Sequence, residues 1–379
     1  DFIGNLGMGL ECRNSSPTIS MCEFSRNLGV GMDCSGVPSP RVEFSTFRLN
    51  GQGGIKIQSS TPEFVNCTIS ANGVGNLHEY AVVIASDSGD SSFLNCIIWE
   101  NYGPPISDPG LGLFQYCTMD ADELPAGDGN SNMDPMFAGW DDAEVHVSDQ
   151  AEFESAMMGY RYSLAEGSPC IGSGAGGVDR GAWSGVVSGA RNSRCAILMQ
   201  PGSYATVGLG LIHRVSLVGS GMGRTLLEGD LVGLCDQATI ADLTLMRGGI
   251  PLDRPGTAII RDCEMIGGTR QAWIMCGKAV APLILDCSIS GGFEGIRCWD
   301  DSRPILKGCL ISGNSFGILL GARSVPAVIG CRIASNMTNG IQLDPGYTGT
   351  ANIINSQVLH NGSNRSEERR VGKECRSRW

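Results

Sequence analysis

Short apolar runs alternate along the chain with turns rich in Gly, Asn and Ser, and within 257–361 the pattern recurs at a fixed period of about 22 residues, which is typical of a repeat protein. Its clearest copies begin at Pro282, Pro304 and Pro326. Each copy predicts two short strands, one on an I-x-x-C-x-I line and one on a Gly-Ile pair. A unit of this size buries its apolar side only by stacking on its neighbours. The pattern therefore predicts an all-β solenoid.

A looser form of the repeat fills residues 1–122. The positions that align with the central cysteine of the repeat are Cys22, Ser45, Cys67, Cys96 and Cys117. The longest interval, from Cys67 to Cys96, predicts an enlarged loop at 74–80. Residues 120–183 break the period, and we interpret them as the closing cap of a first β-helix spanning 1–183, with 141–158 as an acidic excursion.

A second β-helix is predicted over 194–364, after a Gly/Ser-rich linker at 184–193. Its aligned positions are Leu243, Cys263, Cys287, Cys309, Cys331 and Ser356. About seven coils at roughly 4.8 Å each would form a rod about 34 Å long.

Two groups of motifs carry a family resemblance. The lines D-P-M-F, Y-S-L-A-E-G-S-P-C-I and D-R-G-A-W within 134–183 resemble the closing segment of bacterial secreted repeat proteins. The Q-P-G-S-Y turn at 200–204, followed by V-S-L-V-G at 215–219, is similar to the opening coils of pectin-lyase-like β-helices. The chain thus resembles the parallel β-helix repeat proteins of the pectin-lyase-like superfamily. This resemblance implies a right-handed parallel β-helix with coils of about 22 residues, in two segments or one continuous stack.

Composition narrows the function classes. No run of 18 or more apolar residues is present, so the sequence predicts no membrane-spanning helix. The formal charge of −12 disfavours binding to nucleic acid, because few cations are available to neutralise phosphates. We expect the chain to be a fragment of an extracellular or cell-surface bacterial protein whose signal peptide lies outside it.

The last fifteen residues, 365–379, do not follow the repeat. They carry six basic and three acidic side chains and resemble a translated sequencing adapter. We therefore expect a disordered, non-native tail. The alternative is a genuine basic tail that binds an anionic partner.

The cysteines predict a buried ladder of thiols. Cys276, Cys287, Cys298 and Cys309 are eleven residues apart, which is half a coil, so alternate members stack on one line. No C-x-x-C pair is present, whereas zinc sites are typically built on such pairs. Stacked disulfides are the alternative in an oxidising compartment.

One acidic loop offers oxygen ligands at alternate positions. Asp128, Asn130, Asn132 and Asp134 could bind calcium as the first half of a calcium loop does. The loop lacks the glycine and the closing glutamate of the complete motif, so an Asn/Asp-rich turn is the alternative. We predict no other cofactor.

Catalytic residues are not evident from the superfamily's motifs. Its polygalacturonases carry an aspartate pair before the Gly-Ile-type strand together with G-H-G and R-I-K lines, and this chain has none of these at the matching positions. Lyase chemistry in this fold uses carboxylates on calcium beside an Arg or Lys base. Arg270, Glu294, Arg297 and Asp300 lie close together in the coil scheme and are the candidates. Solvated charges on an outer flank are the alternative.

Two tryptophans are candidates for stacking on sugar rings. Trp273 and Trp299 fall on or beside the second strand line of successive coils. They form a carbohydrate platform if they point outward, and they belong to the core if they point inward.

Three functions remain open. The favoured one is polysaccharide binding on a solenoid flank without catalysis. The second is a divergent polysaccharide lyase, glycoside hydrolase or epimerase. The third is an adhesin or spacer repeat with a protein partner. The missing catalytic lines favour the first and third, and the sequence predicts no oligomeric state.

Overall fold

Most of the described strands are short and pair in parallel with the equivalent strand one coil away. The computed structural model describes residues 1–362 except 38, 74–79, 89, 141–143, 158–159, 183–185, 188–194, 206–208, 211–214, 233–236, 253–255, 269–270 and 278, and also the backbone of 375–376. Among them, no helix is long and apolar enough to cross a membrane. The predicted 74–79 part of the enlarged loop, most of the 184–193 linker and most of the 365–379 tail lie outside these residues.

Two compact units divide the chain. The first comprises Asp1–Asp141 and Tyr160–Ser193, and the second comprises Asp142–Gly159 and Arg194–Trp379.

Three parallel sheets form the solenoid of the first unit. The first contains Phe2–Ile3, Glu23–Ser25, Thr46–Arg48, Thr68–Ser70, Ile97–Trp99 and Thr118–Met119. The second contains Leu10–Arg13, Met32–Ser35, Ile55–Gln58 and Val82–Ile84. The third contains Thr18–Ser20, Arg41–Glu43, Glu63–Val65, Ser91–Leu94 and Gly112–Gln115. A separate small sheet consists of Phe137–Trp140, Tyr160–Ala165 and Val186–Val187, and a single 3-10 turn covers Ala175–Gly177.

The second unit has the same plan. Its longest sheet contains Glu144–Val147, Cys195–Met199, Val215–Val218, Thr239–Ala241, Ile259–Arg261, Leu283–Leu285, Ile305–Lys307, Ala327–Ile329, Asn352–Ile354 and Cys375–Arg376. Its second sheet contains Gly202–Ala205, Thr225–Glu228, Thr244–Met246, Glu264–Ile266, Ser288–Ser290, Leu310–Ser312, Arg332–Ala334 and Gln357–Leu359. A two-stranded sheet pairs Leu209–Gly210 with Leu231–Val232. The remaining sheet, here called the flank sheet, contains Ile250–Leu252, Ala272–Cys276, Glu294–Cys298, Phe316–Leu320 and Asn339–Leu343.

Most of the described coils have three strands rather than the two predicted. The I-x-x-C-x-I line is broken in its middle, as between Leu283–Leu285 and Ser288–Ser290. The break falls at Asp286, which has a φ of 50°, and the equivalent Gly308 has a φ of 67°. Asp, Asn and Gly adopt this left-handed conformation most readily, and it bends the chain between the two strands. The Asp or Gly directly before the cysteine therefore indicates the bend, and the prediction of two strands did not take it into account.

The segment 142–159 is an element of the second unit and not an excursion of the first. Glu144–Val147 pairs in parallel with Cys195–Met199. The only α-helix among the described residues, Gln150–Met157, follows it and packs Phe153 edge-on against Tyr204, with ring centroids 5.6 Å apart. The Gln150 side chain donates to the Ala205 carbonyl and accepts from the Ala205 amide, both at 2.8 Å. The acidic composition of the segment concealed this apolar packing.

Side chains stack in ladders inside the coils. In the first unit, Phe2, Phe24 and Phe47 stack face to face with centroids 4.7 and 4.6 Å apart. At one corner of the same coils, the amide nitrogen of Asn27 donates to Asn50 Oδ1, and that of Asn50 donates to Asn72 Oδ1, both at 2.8 Å. Each amide nitrogen also donates to a carbonyl of the preceding coil, Phe2 for Asn27 and Phe24 for Asn50, so each side chain links three successive coils.

The cysteine prediction is confirmed for the thiols that the structure describes. These cysteines are free, and all but Cys22 are buried. Cys276 and Cys298 occupy the same register position on adjacent strands. A hydrogen bond with the Cys263 thiol, together with burial, raises the pKa of Cys287 to about 12. Such thiols remain protonated and behave as small apolar side chains.

Candidate functional site

An ion pair lies on the outer side of the flank sheet. On the strand Glu294–Cys298, a Cβ at Gly295 would lie 2.8 Å from Ile311 Cγ2, so this position points into the core, as does the buried Ile296. Two successive inward positions place Glu294 and Arg297 on the same outer side. Their side chains meet, with Arg297 Nη1 3.3 Å from Glu294 Oε1.

Arg297 is the centre of a small cluster. Its Nη2 atom lies 3.9 Å from Asp344 Oδ2, and its guanidinium carbon lies 4.8 Å from the centroid of the Trp299 ring. The Gln271 amide donates to Glu294 Oε1 at 3.4 Å. The exposed fractions of the side chains are 3% for Glu294, 16% for Arg297 and 37% for Asp344. We call Glu294, Arg297, Trp299 and Asp344 the Arg297 cluster; Glu294 forms its floor, and the other three reach solvent.

Two polar atoms of the Arg297 cluster have no hydrogen-bond partner in the part of the chain that the structure describes. Among the described residues, no group forms a hydrogen bond with Glu294 Oε2 or with Arg297 Nε, and both atoms are buried. An unsatisfied buried polar group costs about 1–3 kcal/mol, so a native structure rarely retains one without a reason.

Glycines make room for the Arg297 cluster. Gly277, Trp299, Gly321 and Asp344 occupy equivalent positions on four successive coils, because each amide bonds the last residue of the preceding flank-sheet strand. A Cβ at Gly277 would lie within 2.9 Å of Trp299 Cδ1 and closer still to Nε1. A Cβ at Gly321 would lie 2.9 Å from Asp344 Oδ2. Each glycine therefore leaves space for the side chain of the following coil, Trp299 or Asp344, to lie over the coil of the glycine.

Comparison with known proteins identifies the fold. A sequence model of the family described as "Right handed beta helix region" matches residues 1–119 and 232–367. The chain belongs to this family. The predicted right-handed β-helix is thereby confirmed.

Solved structures and curated sequences add little to this identification. One similar solved structure is that of the PL6 family alginate lyase AlyGC, which is 10% identical to this β-helix. The match covers 93% of the β-helix chain and 70% of the lyase chain, with a TM-score of 0.30. A mutant of the same lyase is 9% identical over 94% and 70% of the two chains, also with a TM-score of 0.30. At such scores the likeness supports no argument about function. No curated protein sequence matches the β-helix.

The structure brings together two of the four predicted catalytic candidates. Glu294, which is buried, and Arg297, which is partly exposed, form an ion pair and are not freely solvated charges. Asp300 is exposed in the turn after the strand and has a φ of 48°. Arg270 lies outside the described residues. Asp344, which sequence reasoning did not select, joins Arg297 instead, and the glycines at 277 and 321 were the available signal.

The two predicted sugar-stacking residues differ in their exposure to solvent. Trp273 is only 1% exposed, and its indole nitrogen donates to the Ser290 carbonyl at 2.9 Å. It belongs to the core, so its assignment to a carbohydrate platform is wrong. The sequence pattern does not fix the register of this strand, and the register decides which face of the sheet Trp273 occupies. Trp299 is partly exposed, and the Arg297 guanidinium lies over one face of its ring.

The predicted calcium loop holds together as a turn of the β-helix. Asn130 Oδ1 accepts from the Cys117 amide at 2.9 Å, and Asp134 Oδ1 accepts from the Met136 amide at 2.8 Å. Asp128 and Asn132 are exposed. Over the described part of the chain, no three His, Cys, Asp or Glu side chains are grouped as metal ligands. Calcium binding at this loop stays a prediction.

Glu294 makes the stability of the β-helix depend on pH. Burial raises the pKa of its carboxyl group, although the Arg297 guanidinium and the Gln271 amide lower it. Because the folded pKa exceeds the unfolded value, the stability linked to the protonated carboxyl is complete below the unfolded pKa of about 4.3 and is lost as pH rises through the folded pKa. In a series of denaturant titrations, the unfolding free energy of the wild type minus that of Glu294→Gln should therefore fall with rising pH in this window. A difference that rises with pH would contradict the assignment.

Proposed function

We propose that this β-helix binds polysaccharide on the outer side of its flank sheet without cleaving it. The observation that carries the proposal is the Arg297 guanidinium, which is fixed between two carboxylates and an indole ring while part of it remains exposed. The exposed part of a cation held in this way is already ordered before it meets a ligand.

The exposed groups of the Arg297 cluster suit a sugar. Sugar hydroxyls both donate and accept hydrogen bonds, so they can donate to the Asp344 carboxylate and accept from Arg297. Hydrogen bonds to charged groups contribute about 1.5–3 kcal/mol each. The partly exposed indole of Trp299 adds an apolar surface with a polar N–H at its edge. A polysaccharide would meet such a site outside the cell, so we also propose an extracellular or cell-surface location.

A second candidate function is cleavage of the bound chain by Glu294. Its pKa is raised and its Oε2 atom has no partner among the described residues, and both properties suit a proton-transferring group. This divergent lyase or hydrolase would show itself by shortened chains or by unsaturated product.

Affinity electrophoresis of the full chain through gels that contain soluble neutral or acidic polysaccharides tests the proposal. Retardation of the wild type is expected, and Trp299→Ala should weaken it about tenfold, which is about 1.4 kcal/mol. Asp300→Asn is the matched control, because Asp300 neighbours Trp299 but lies outside the Arg297 cluster, and Asn also tolerates its positive φ.

The same polysaccharides, incubated with the protein and assayed for unsaturated product and new reducing ends, separate binding from cleavage. Retardation without product supports binding alone. Product that disappears in Glu294→Gln would transfer the proposal to the enzyme. If no polysaccharide retards the wild type, the proposed function is wrong.

A further inference from the structure

We infer that the ligand of the Arg297 cluster is an uncharged, hydroxyl-rich glycan rather than a polyuronate. This inference rests on the proposed binding function and specifies its ligand class. It follows from the charges, the unpaired atoms and the glycine row of the cluster.

Charge is the first step. Arg297 faces Glu294 through Nη1 and Asp344 through Nη2, so two carboxylates already surround one cation. A uronate approaching Arg297 would have to displace one of them or lie beside both. Like charges at such distances repel by about 1 kcal/mol in water and by more where solvent is excluded.

The equivalent turn one coil further on does not supply a replacement cation. Arg323, one coil further on, is already paired with Asp301, with its Nε 2.7 Å from Oδ1. Asp300, next to Trp299, is exposed and adds a further carboxylate. The whole chain carries a formal charge of −12, which also opposes the approach of a polyanion.

Hydrogen bonding is the second step. Within the described part of the chain, Arg297 Nε is a donor without a hydrogen bond and Glu294 Oε2 an acceptor without one, on neighbouring side chains of one ion pair. A hydroxyl group satisfies both kinds of atom, whereas a carboxylate satisfies only the donor. Both atoms are buried, so a hydroxyl or a water bound with the sugar reaches them only when the Arg297 side chain shifts outward.

The glycine row is the third step. Because Gly321 has no side chain, the Asp344 carboxylate extends across the coil of Gly321 towards Arg297 on the coil before it. Gly277 likewise gives the Trp299 indole its place beside the guanidinium. The excess carboxylate is therefore built into the site by the sequence of four successive coils and is not a chance neighbour on the surface.

The test compares retardation by two uncharged probes, a soluble β-glucan and a galactomannan, with retardation by two polyuronates, polygalacturonate and alginate. At low ionic strength, the wild type should bind at least one uncharged probe about tenfold more tightly than either polyuronate. Asp344→Asn removes one carboxylate at nearly constant shape and should raise the affinity for polyuronate about fivefold. Asp300→Asn, outside the cluster, should change the ratio between probe classes by less than Asp344→Asn does.

The outcomes separate the two proposals. If the wild type binds polyuronates as tightly as the uncharged probes, or more tightly, the inferred ligand class is wrong while the binding function stands. If none of the four probes is bound, the binding function fails and the ligand class with it. If Asp344→Asn leaves the ratio unchanged, the carboxylate of Asp344 does not set the preference and the inference is wrong.

Discussion

Replacement of Asn50 by Leu should lower the free energy of unfolding of the first unit by about 4 kcal/mol. The Asn50 side chain is fully buried. Its Oδ1 accepts from the backbone amide of Asn27 at 3.2 Å and from the Asn27 side chain at 2.8 Å. Its Nδ2 donates to the Phe24 carbonyl at 3.0 Å and to Asn72 Oδ1 at 2.8 Å. Leucine fills a similar volume but removes all four of these hydrogen bonds at a buried position, and each group left without a partner costs about 1–3 kcal/mol.

Urea denaturation followed by circular dichroism measures this loss. Asn132→Leu is the control, because Asn132 is exposed in a turn of the same unit, and its change should stay within about 0.5 kcal/mol. If the two variants lose equal stability, the buried hydrogen bonds of the asparagine ladder do not stabilise the coils.

Replacement of Gly277 by Ala should weaken polysaccharide binding by tenfold or more while the β-helix stays folded. An alanine Cβ would overlap the Trp299 indole, which must then leave its place beside Arg297. The cation–π contact contributes about 0.5–2 kcal/mol, and Arg297 loses its fixed orientation together with it. The indole is a surface group that can turn outward, so the unfolding free energy should fall by only about 1 kcal/mol.

Gly202→Ala is the matched control for this prediction. Gly202 also lies in the second unit, and a Cβ there would make only ordinary contact with Tyr204, at 3.5 Å. Affinity electrophoresis and thermal unfolding of both variants provide the comparison. Equal binding by Gly277→Ala and the wild type would show that the position of Trp299 does not matter to the ligand.

The period of the sequence predicted the architecture because each coil must repeat the same inward positions. It could not show that the I-x-x-C-x-I line bends, since the bend is a backbone conformation at Asp286 and not a change in apolar pattern. The left-handed preference of Asp and Gly at that position carries the information, but only once the coils are aligned.

The candidate site was predicted in part. Glu294 and Arg297 lie within one predicted strand, but regular alternation places residues three apart on opposite faces, and only the two successive inward positions at Gly295 and Ile296 bring them together. The inward or outward direction of Trp273 depends on a local irregularity at the level of Gly295, which alternation does not reveal. Asp344 reaches Arg297 across the coil of Gly321, and only the three-dimensional row of glycines shows that it can.

Hydroxyl-radical footprinting of the full chain, with and without an uncharged glycan that retards it, tests most directly whether the flank sheet is the binding surface. The account predicts reduced oxidation of Trp299, which is partly exposed in the free protein. Met21 and Met133, exposed in the first unit, should be oxidised as before. Protection of either methionine together with unchanged oxidation of Trp299 would contradict the account.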